Sequence, residues 1–189
     1  MLAAVAAECA SIHMRYEFRQ CTEEDRAWAY ALKSEAYREV VERQFGPWDD
    51  GKQREQFAAR WDPAKSRIVV VDGVAVGLVA VQDRSEELWL DEIQLASGWR
   101  GRGIGTAILR DLVSRARAER KALRLRVLRE NALAQKLYHR LGFRVVGETA
   151  THWLVEHGDA PGRPPNPALE PLAGQRPSVH PNHHNETSH

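Results

Sequence analysis

The chain has 189 residues, of which 27 are Lys or Arg and 26 are Asp or Glu, so its formal net charge is +1. This length suits one globular domain with tails, because domains commonly span roughly 100–200 residues. No window approaches the ~20 apolar residues that a membrane-spanning helix requires, which argues against a membrane protein. The near-neutral charge argues against a strongly basic nucleic-acid binder, although a balanced total can hide segregated charge.

Cysteine content and the two chain ends narrow the class further. Cys9 and Cys21 are too few for a disulfide scaffold or a cysteine-built zinc site, so we expect a cytoplasmic protein. Residues 158–189 hold seven of the nine prolines and few large aliphatic residues, which predicts a disordered Pro/His-rich tail with no functional metal site. Residues 1–13 are interpreted as an N-terminal extension, leaving a domain over residues 14–157.

Patterning in the first part of this domain predicts a strand, two helices and three strands. Alternation of Tyr16 and Phe18 with polar residues predicts a half-buried first strand over residues 15–21. Thr22 is a plausible N-cap for a helix that Gly46 and Pro47 end. The remaining elements are a helix over residues 49–61, two strands joined by a turn at Asp72-Gly73 (residues 67–71 and 74–81), and a strand over residues 88–95.

The second part predicts a helix beginning at Ile104, a strand over residues 123–128, a helix over residues 131–142 that ends at Gly142, and closing strands over residues 143–148 and 151–156. The resulting order, βααβββαβαββ, indicates an α/β fold with a mixed sheet and helices on both sides. Only the connection from residues 88–95 to residues 123–128 is expected to be a parallel crossover.

A glycine-rich loop, Arg100-Gly101-Arg102-Gly103-Ile104-Gly105, joins a strand to the first turn of a helix. A helix N-terminus offers free N–H groups and the positive end of the helix dipole, and glycines let the backbone approach an anion closely. The pattern is neither the G-x-G-x-x-G of dinucleotide-binding folds nor a Walker A loop, which would end in Gly-Lys-Ser/Thr. The loop therefore predicts an anion site of another kind.

Read as Arg-x-x-Gly-x-Gly, the loop resembles the pyrophosphate loop of the GNAT superfamily of acetyl-CoA-dependent N-acetyltransferases. Two further features carry the resemblance: Asn131 at the start of the next helix, and the run Lys136-Leu-Tyr138-x-x-Leu-Gly-Phe143. The resemblance extends over residues 14–156 in element order. It implies a mostly antiparallel sheet flanked by helices, acetyl-CoA as cosubstrate, and no metal.

The resemblance also implies which residues contact the cofactor. Main-chain amides near Gln94 and Leu95 are expected to hold the pantetheine and to polarise the thioester carbonyl. Asn131 is either an N-cap alone or also a pantetheine contact. The full implied set is Ile93, Gln94, Leu95, Arg100, Gly101, Arg102, Gly103, Ile104, Gly105, Thr106 and Asn131.

Catalytic roles follow from the chemistry of an amine acceptor. An alkyl ammonium is only about 1/2500 deprotonated at pH 7, so a general base is needed, and Asp91 or Glu92 could supply it directly or through water. Strand alternation predicts that these two side chains point to opposite faces, and the sequence does not separate them. Tyr138 matches the family tyrosine that protonates the leaving thiolate; its alternative is a core tyrosine with a solvated hydroxyl.

Charge is segregated along the chain. Residues 100–129 contain ten basic and two acidic residues, whereas residues 15–99 contain 12 basic and 17 acidic residues. A basic half fits the phosphates of coenzyme A, with Arg100 and Arg102 as the expected contacts. No aromatic residues interleave with the basic run, so we expect no nucleic-acid partner.

The acceptor is the least determined feature. In the family the first two helices and the last two strands set specificity, and here these segments are rich in aromatic and acidic residues, which would suit a cationic amine. The aromatics are Trp28, Tyr30, Tyr37, Phe45, Trp48, Phe57, Trp61 and Trp153; the acids are Glu35, Glu39, Glu42, Asp49 and Asp50. The alternative is that most of these aromatics are core.

We therefore expect an enzyme that acetylates a small-molecule or amino-acid-like amine, as a monomer or homodimer without a membrane partner. Acetylation of a peptide N-terminus or a lysine, and a non-catalytic acyl-CoA-binding module, stay open as alternatives. Retention of Tyr138, the carboxylates and the complete loop favours the enzyme.

Overall fold

A computed structural model describes residues 16–158 of the chain. The predicted extension, residues 1–13, and all of the predicted tail except Gly158 lie outside these residues. No helix within the described part is long and apolar enough to cross a membrane.

The order of elements is the one predicted, βααβββαβαββ, with most boundaries within one or two residues of the expected ones. The elements are β1 (Glu17–Gln20), α1 (Arg26–Phe45), α2 (Asp50–Arg60), β2 (Ser66–Val71), β3 (Val74–Asp83), β4 (Glu87–Leu95), α3 (Ile104–Ala118), β5 (Ala122–Leu128), α4 (Ala132–Arg140), β6 (Arg144–Glu148) and β7 (His152–His157).

Local signals place the helix ends as the sequence indicates. Gly46, with φ +90°, ends α1, and the Asp49 carboxylate accepts a hydrogen bond from the Lys52 amide to begin α2. Gly142, at φ +87°, follows α4 in the left-handed conformation that only glycine adopts without strain. A short 3₁₀ turn, Glu23–Asp25, precedes α1 where the prediction had a continuous helix.

The seven strands form one sheet in the order β1-β2-β3-β4-β5-β7-β6. Only β4 and β5 pair in parallel; every other neighbouring pair is antiparallel, which confirms the predicted mostly antiparallel sheet and its single crossover. The prediction of a half-buried first strand over residues 15–21 is wrong for Phe18 and the rest of β1, whose four residues are all exposed at the edge of the sheet. Tyr16, just before β1, packs against the larger core, and Cys21, just after it, is buried.

Each face of the sheet has its own hydrophobic core. The larger core packs α3 and α4 on one face and includes Leu88, Leu90, Ile108, Leu123 and Leu125. The smaller core lies on the other face, where residues of α1 and α2 cover Ile68 and Leu78. Helices on both faces are what the predicted architecture requires, and they hold β4 and β5 between the two layers.

Gly77 is the point of closest approach between β3 and β4. A Cβ atom at this position would lie 2.4 Å from the main-chain oxygen of Gln94 and 2.6 Å from a methyl carbon of Leu95. Both neighbours belong to the strand that leads to the glycine-rich loop, so the absence of a side chain at Gly77 fixes how closely that strand packs on β3.

We expect Gly77→Ala to lower the free energy of unfolding by about 2 kcal/mol, because overpacking a rigid main-chain contact costs about 1–3 kcal/mol. Gly98→Ala is the matched control, since a Cβ there meets nothing within 4 Å. Urea denaturation followed by circular dichroism measures both. Equal stability of the two variants would contradict the close-packing argument.

Candidate active site

The site is built where β4 and β5 part. They pair in parallel only from Glu87–Ala122 to Leu90–Leu125, whereas β4 runs on to Leu95 against β3 alone. The main chain of Ile93, Gln94 and Leu95 therefore has no strand partner on its β5 side within the described residues. Strand groups without a partner are available to an extended ligand.

A β-bulge at Asp91 decides where the two acidic side chains point. On β3, Val81 pairs with Leu90 and Ala80 with Glu92, so Asp91 is an extra residue in β4. Leu90 and Ile93 both pack against the larger core although they are three residues apart. Asp91 and Glu92 therefore both lie on the opposite, α1-covered face, and the prediction that they point to opposite faces is wrong because the bulge resets the alternation.

The two carboxylates differ in their surroundings. Asp91 is exposed and accepts a hydrogen bond of 2.6 Å from the Gln82 side chain. Glu92 is partly buried beneath α1; its Oε2 accepts hydrogen bonds from the Tyr37 hydroxyl at 3.2 Å and from Gln94 Nε2 at 2.9 Å. Burial raises the pKa of Glu92, and these two hydrogen bonds and the positive charge of Lys33 limit the rise.

Sequence reasoning does not predict the roles of three residues in this cluster. Tyr37 is predicted only as a possible acceptor contact, Gln94 only for its main chain, and Lys33 not at all. Tyr37 lies 55 residues before Glu92 and reaches it only because α1 crosses β4. No local pattern signals such a contact. The contact between Glu92 and Gln94 could have been predicted, because residues two apart on a strand lie on the same face.

Tyr138 lies on α4 and belongs to the larger core, and the charge of Glu92 acts on its hydroxyl across the opening. Its side chain is 7% exposed, and its ring lies 5.5 Å from that of Phe143. Burial, and to a smaller extent the negative charge of Glu92, raise the pKa of Tyr138 far above that of a free tyrosine. The hydroxyl is therefore protonated at neutral pH, which a proton donor requires.

The glycine-rich loop leads into α3 as an open turn. Gly101 and Gly103 adopt φ of +73° and +85°, and Gly103 is the N-cap. The first hydrogen bond of the helix joins the Ala107 amide to the Gly103 carbonyl. Within the described residues, the amides of residues 101–106 donate to no main-chain carbonyl, so they are available to an anion. Binding of an anion at this turn stays a prediction.

The same turn is packed against the end of β4. A Cβ atom at Gly105 would lie 3.6 Å from Leu95, while Ile104 is fully buried in the larger core. Thr106 is partly buried in the first turn of α3. The open amides of α3 and the unpaired main chain of β4 are thus held next to each other.

The two loop arginines have partners within the protein. Arg100 Nε donates to the Leu95 carbonyl oxygen at 2.8 Å, and the Arg100 guanidinium is 3.9 Å from Glu35. The guanidinium of Arg102 lies over the Trp99 ring at 5.0 Å. Both side chains are exposed beside the open amides, so contact with a phosphate stays a prediction for each.

Asn131 has the capping role that the sequence allows. Its side-chain oxygen accepts a hydrogen bond of 3.2 Å from the Ala134 amide at the start of α4. A pantetheine contact by the same residue stays a prediction.

The predicted acceptor lining is mostly occupied by internal contacts. Trp28, Phe57 and Trp61 pack against the smaller core, which confirms the alternative interpretation for these aromatics. Among the acids, Glu35 accepts from the Ser97 amide, and Asp50 accepts from Tyr30 and Arg54. These paired carboxylates are poorly placed to define a site for a cation.

A cavity of about 740 Å³ lies between α4, β6 and β7. Tyr138, Phe143 and Trp153 form part of its mainly apolar wall. A molecule in this cavity would therefore contact Tyr138 from the side of β6 and β7.

Comparison with known proteins gives a consistent result. Residues 31–143 match a family model described as the acetyltransferase (GNAT) family. A streptothricin acetyltransferase from Streptomyces lavendulae is 37% identical over 106 residues, covering 52% of this chain and 56% of the relative. An N-acetylaspartate synthetase from Danio rerio is 36% identical over 90 residues, covering 46% of this chain and 32% of the relative. The chain thus matches about half or less of the length of these curated relatives.

Among solved structures, the PaiA N-acetyltransferase from Thermoplasma acidophilum in complex with coenzyme A superposes with a TM-score of 0.62. It is 16% identical and covers 76% of this chain and 98% of its own. At this identity the likeness shows a shared fold.

We expect Gly103→Glu to abolish retention on immobilised coenzyme A. The new carboxylate would strain a backbone at φ +85° and repel phosphates from the open amides. Gly73→Glu is the matched control, because Gly73 has φ +77°, equally free surroundings and a position in the β2–β3 turn. Unchanged retention of folded Gly103→Glu protein, with folding checked by thermal melting, would contradict the loop assignment.

Proposed function

The chain belongs to the GNAT family of acetyltransferases, and from this membership and the site geometry we propose that it transfers the acetyl group of acetyl-CoA to a primary amine by direct attack. The observation that carries the proposal is the cluster of Glu92 and Tyr138 at the place where β4 and β5 part, next to the open amides of α3. The acceptor is proposed to be a small molecule. The names of both curated relatives refer to small molecules, streptothricin and N-acetylaspartate.

The cosubstrate is assigned by complementarity. The pyrophosphate of acetyl-CoA would accept hydrogen bonds from the open amides of residues 101–106, with Arg100 and Arg102 supplying positive charge. The pantetheine would lie along the unpaired main chain of Ile93, Gln94 and Leu95, as an added strand does at a free sheet edge. A main-chain N–H of this segment would stabilise the oxyanion that forms when the thioester carbonyl is attacked.

Glu92 is proposed as the general base in preference to Asp91. A base works best when its pKa approaches the working pH, and burial moves the pKa of Glu92 in that direction. Asp91 is exposed and engaged by Gln82. The acceptor ammonium would lose its proton to Glu92, directly or through one water, and the free amine would then attack the carbonyl carbon.

Tyr138 is proposed to act on the leaving group. When the tetrahedral intermediate collapses, the C–S bond breaks and the sulfur leaves with its electron pair as a thiolate. The Tyr138 hydroxyl would donate its proton to this sulfur, giving the free thiol of coenzyme A. The acceptor nitrogen loses its second proton as the N-acetyl amine forms, and this proton would restore the Tyr138 hydroxyl, directly or through water. The proton first taken by Glu92 would leave to solvent.

We expect Tyr138→Phe to lower kcat more than about tenfold, because proton donation by a positioned group commonly contributes a factor of 10²–10⁴. The KM for acetyl-CoA should change little. Tyr30→Phe is the matched control: it also removes the hydroxyl of a buried tyrosine, but one that is bonded to Asp50 on α2. Thiol titration of released coenzyme A measures both, and an unchanged kcat in Tyr138→Phe would exclude the acid role.

We expect Glu92→Gln to lower kcat about 100-fold or more at pH 7. The glutamine oxygen can still accept from Tyr37 and Gln94, so the cluster is preserved while the basic group is lost. Asp91→Asn is the control and should retain most activity. Comparable losses in the two variants would remove the reason for preferring Glu92.

The same variant has an independent readout in stability. Burial raises the pKa of Glu92 in the folded state, so the folded protein binds a proton at Glu92 more tightly than the unfolded chain does. The stability that this proton contributes is lost as the pH rises through the folded-state pKa. Glu92→Gln should therefore gain stability relative to the wild type as the pH increases from 4 to 8. Thermal melts across this range test the environment of Glu92 separately from its catalytic role.

A further inference from the structure

A basic residue lies directly across the opening from the two carboxylates. Leu90 and Leu125 form the last pair between β4 and β5, so Arg126 is the first β5 residue beyond the pairing. Leu123, Leu125 and Val127 belong to the larger core, which places Arg126 on the other face, with Asp91 and Glu92. The proposed base and Arg126 thus flank the same end of the opening.

Arg126 differs from the arginine two residues before it on the same face. Arg124 is held between Glu87 at 3.0 Å and Glu156 at 2.6 Å. Arg126 lies over the Trp89 ring at 5.6 Å, and within the described residues it has no carboxylate within ion-pair distance. The ring supports the guanidinium from one side and leaves its N–H groups available.

Other charged groups lie near Arg126. Arg84 lies over the same Trp89 ring at 4.8 Å, and its charge is paired with Glu87 at 2.6 Å. Burial, and to a smaller extent the charge of Arg60, lower the pKa of Arg126. Asp91 is the acid that acts on Arg126 from nearby, and Gln82 already hydrogen-bonds it. Unlike Arg84 and Arg124, Arg126 forms no ion pair within the described residues.

We propose that Arg126 binds a carboxylate of the acceptor, so that the preferred substrates are amino acids or other primary amines that carry a carboxylate. The inference rests on the proposed function: the amine is placed at Glu92, and the carboxylate lies across the opening on the guanidinium fork. Arginine suits this role because its planar donors bind both oxygens of a carboxylate together. This substrate class adds a carboxylate to the cationic amine that the acidic residues of the first two helices suggest.

The test uses the full 189-residue chain and pairs of acceptors that differ only in the carboxylate. Each of several amino acids, with α- and ω-amines, is offered as the free acid and as its primary amide, and coenzyme A release gives kcat/KM. The acid-to-amide ratio is measured for the wild type and for Arg126→Gln. Both substrates are measured with the same enzyme preparation. A smaller fraction of folded protein therefore lowers both kcat/KM values equally and leaves their ratio unchanged.

We expect Arg126→Gln to lower the acid-to-amide ratio about 10- to 100-fold, as the loss of a charge-assisted hydrogen-bonded pair predicts. Arg126→Lys keeps the positive charge but not the planar pair of donors, so its acid-to-amide ratio should lie between those of the wild type and Arg126→Gln. Arg67→Gln is the matched control, an exposed arginine on β2 that is separated from the opening by β3 and β4, and its ratio should equal that of the wild type.

Turnover of amines with the same ratio in wild type and Arg126→Gln would overturn this inference and leave the proposed acetyl transfer intact. A wild type that favours amides over acids would overturn it as well. Absence of coenzyme A release with every acid and amide would instead overturn the proposed function, and the substrate class with it.

Discussion

The parallel pairing of β4 with β5 stops at Leu90 and Leu125, and the proposed chemistry depends on this separation. β4 continues because β3 holds it on the other side as far as Leu95, while β5 is held by β7. Main-chain groups that lose a strand partner need another one, which a side chain, water or a ligand can supply. The Leu95 carbonyl at the end of the separated segment accepts from Arg100, and a Leu95 methyl lies close to Gly105 at the start of α3. These two contacts hold the proposed phosphate site next to the proposed thioester site.

The bulge at Asp91 lies at the start of this separation and places a carboxylate in the opening. Without the extra residue, Glu92 would face the larger core, where an ionised group is strongly disfavoured. With it, Glu92 lies beneath α1, where Tyr37 and Gln94 donate hydrogen bonds and Lys33 supplies positive charge. These partners offset only part of the cost of burial, so the carboxylate is kept with a raised pKa. Burying the Glu92 carboxylate lowers the stability of the fold, and the raised pKa makes the group a better candidate for a base.

Most of the fold could be predicted from the sequence, because turn residues, caps and apolar periodicity act over a few neighbouring positions. Gly46, Asp49 and Gly142 each end or begin a helix where local rules place them. The position of the glycine-rich loop was predictable for the same reason. The exposure of β1 was not, since whether a strand lies at the edge depends on the order of strands in the whole sheet.

The sequence supplies the candidate residues of the site but not their arrangement. Asp91, Glu92 and Tyr138 are all candidates from the sequence, and their roles stay predictions. That both carboxylates lie on one face depends on a bulge in the pairing of β4 with β3. The contact of Tyr37 with Glu92 joins residues 55 positions apart and requires the crossing of α1 over β4. Such contacts are products of tertiary packing, and the spacing of residues along the chain carries no record of them.

The segregated charge has a more specific meaning once each cation is followed to its partner. Of the ten basic residues in positions 100–129, Arg124 is neutralised by two glutamates, Arg115 and Lys121 both pair with Asp83, and Arg129 pairs with Glu148 at 2.8 Å. These pairs tie α3 and β5 to neighbouring strands and contribute little to a field at the site. The residues of this run that we assign to ligands are Arg100 and Arg102 at the open amides, and Arg126 at the opposite end of the opening. A basic half that suggests one polyanion thus separates into structural ion pairs and two proposed anion sites, with the proposed acetyl transfer between them.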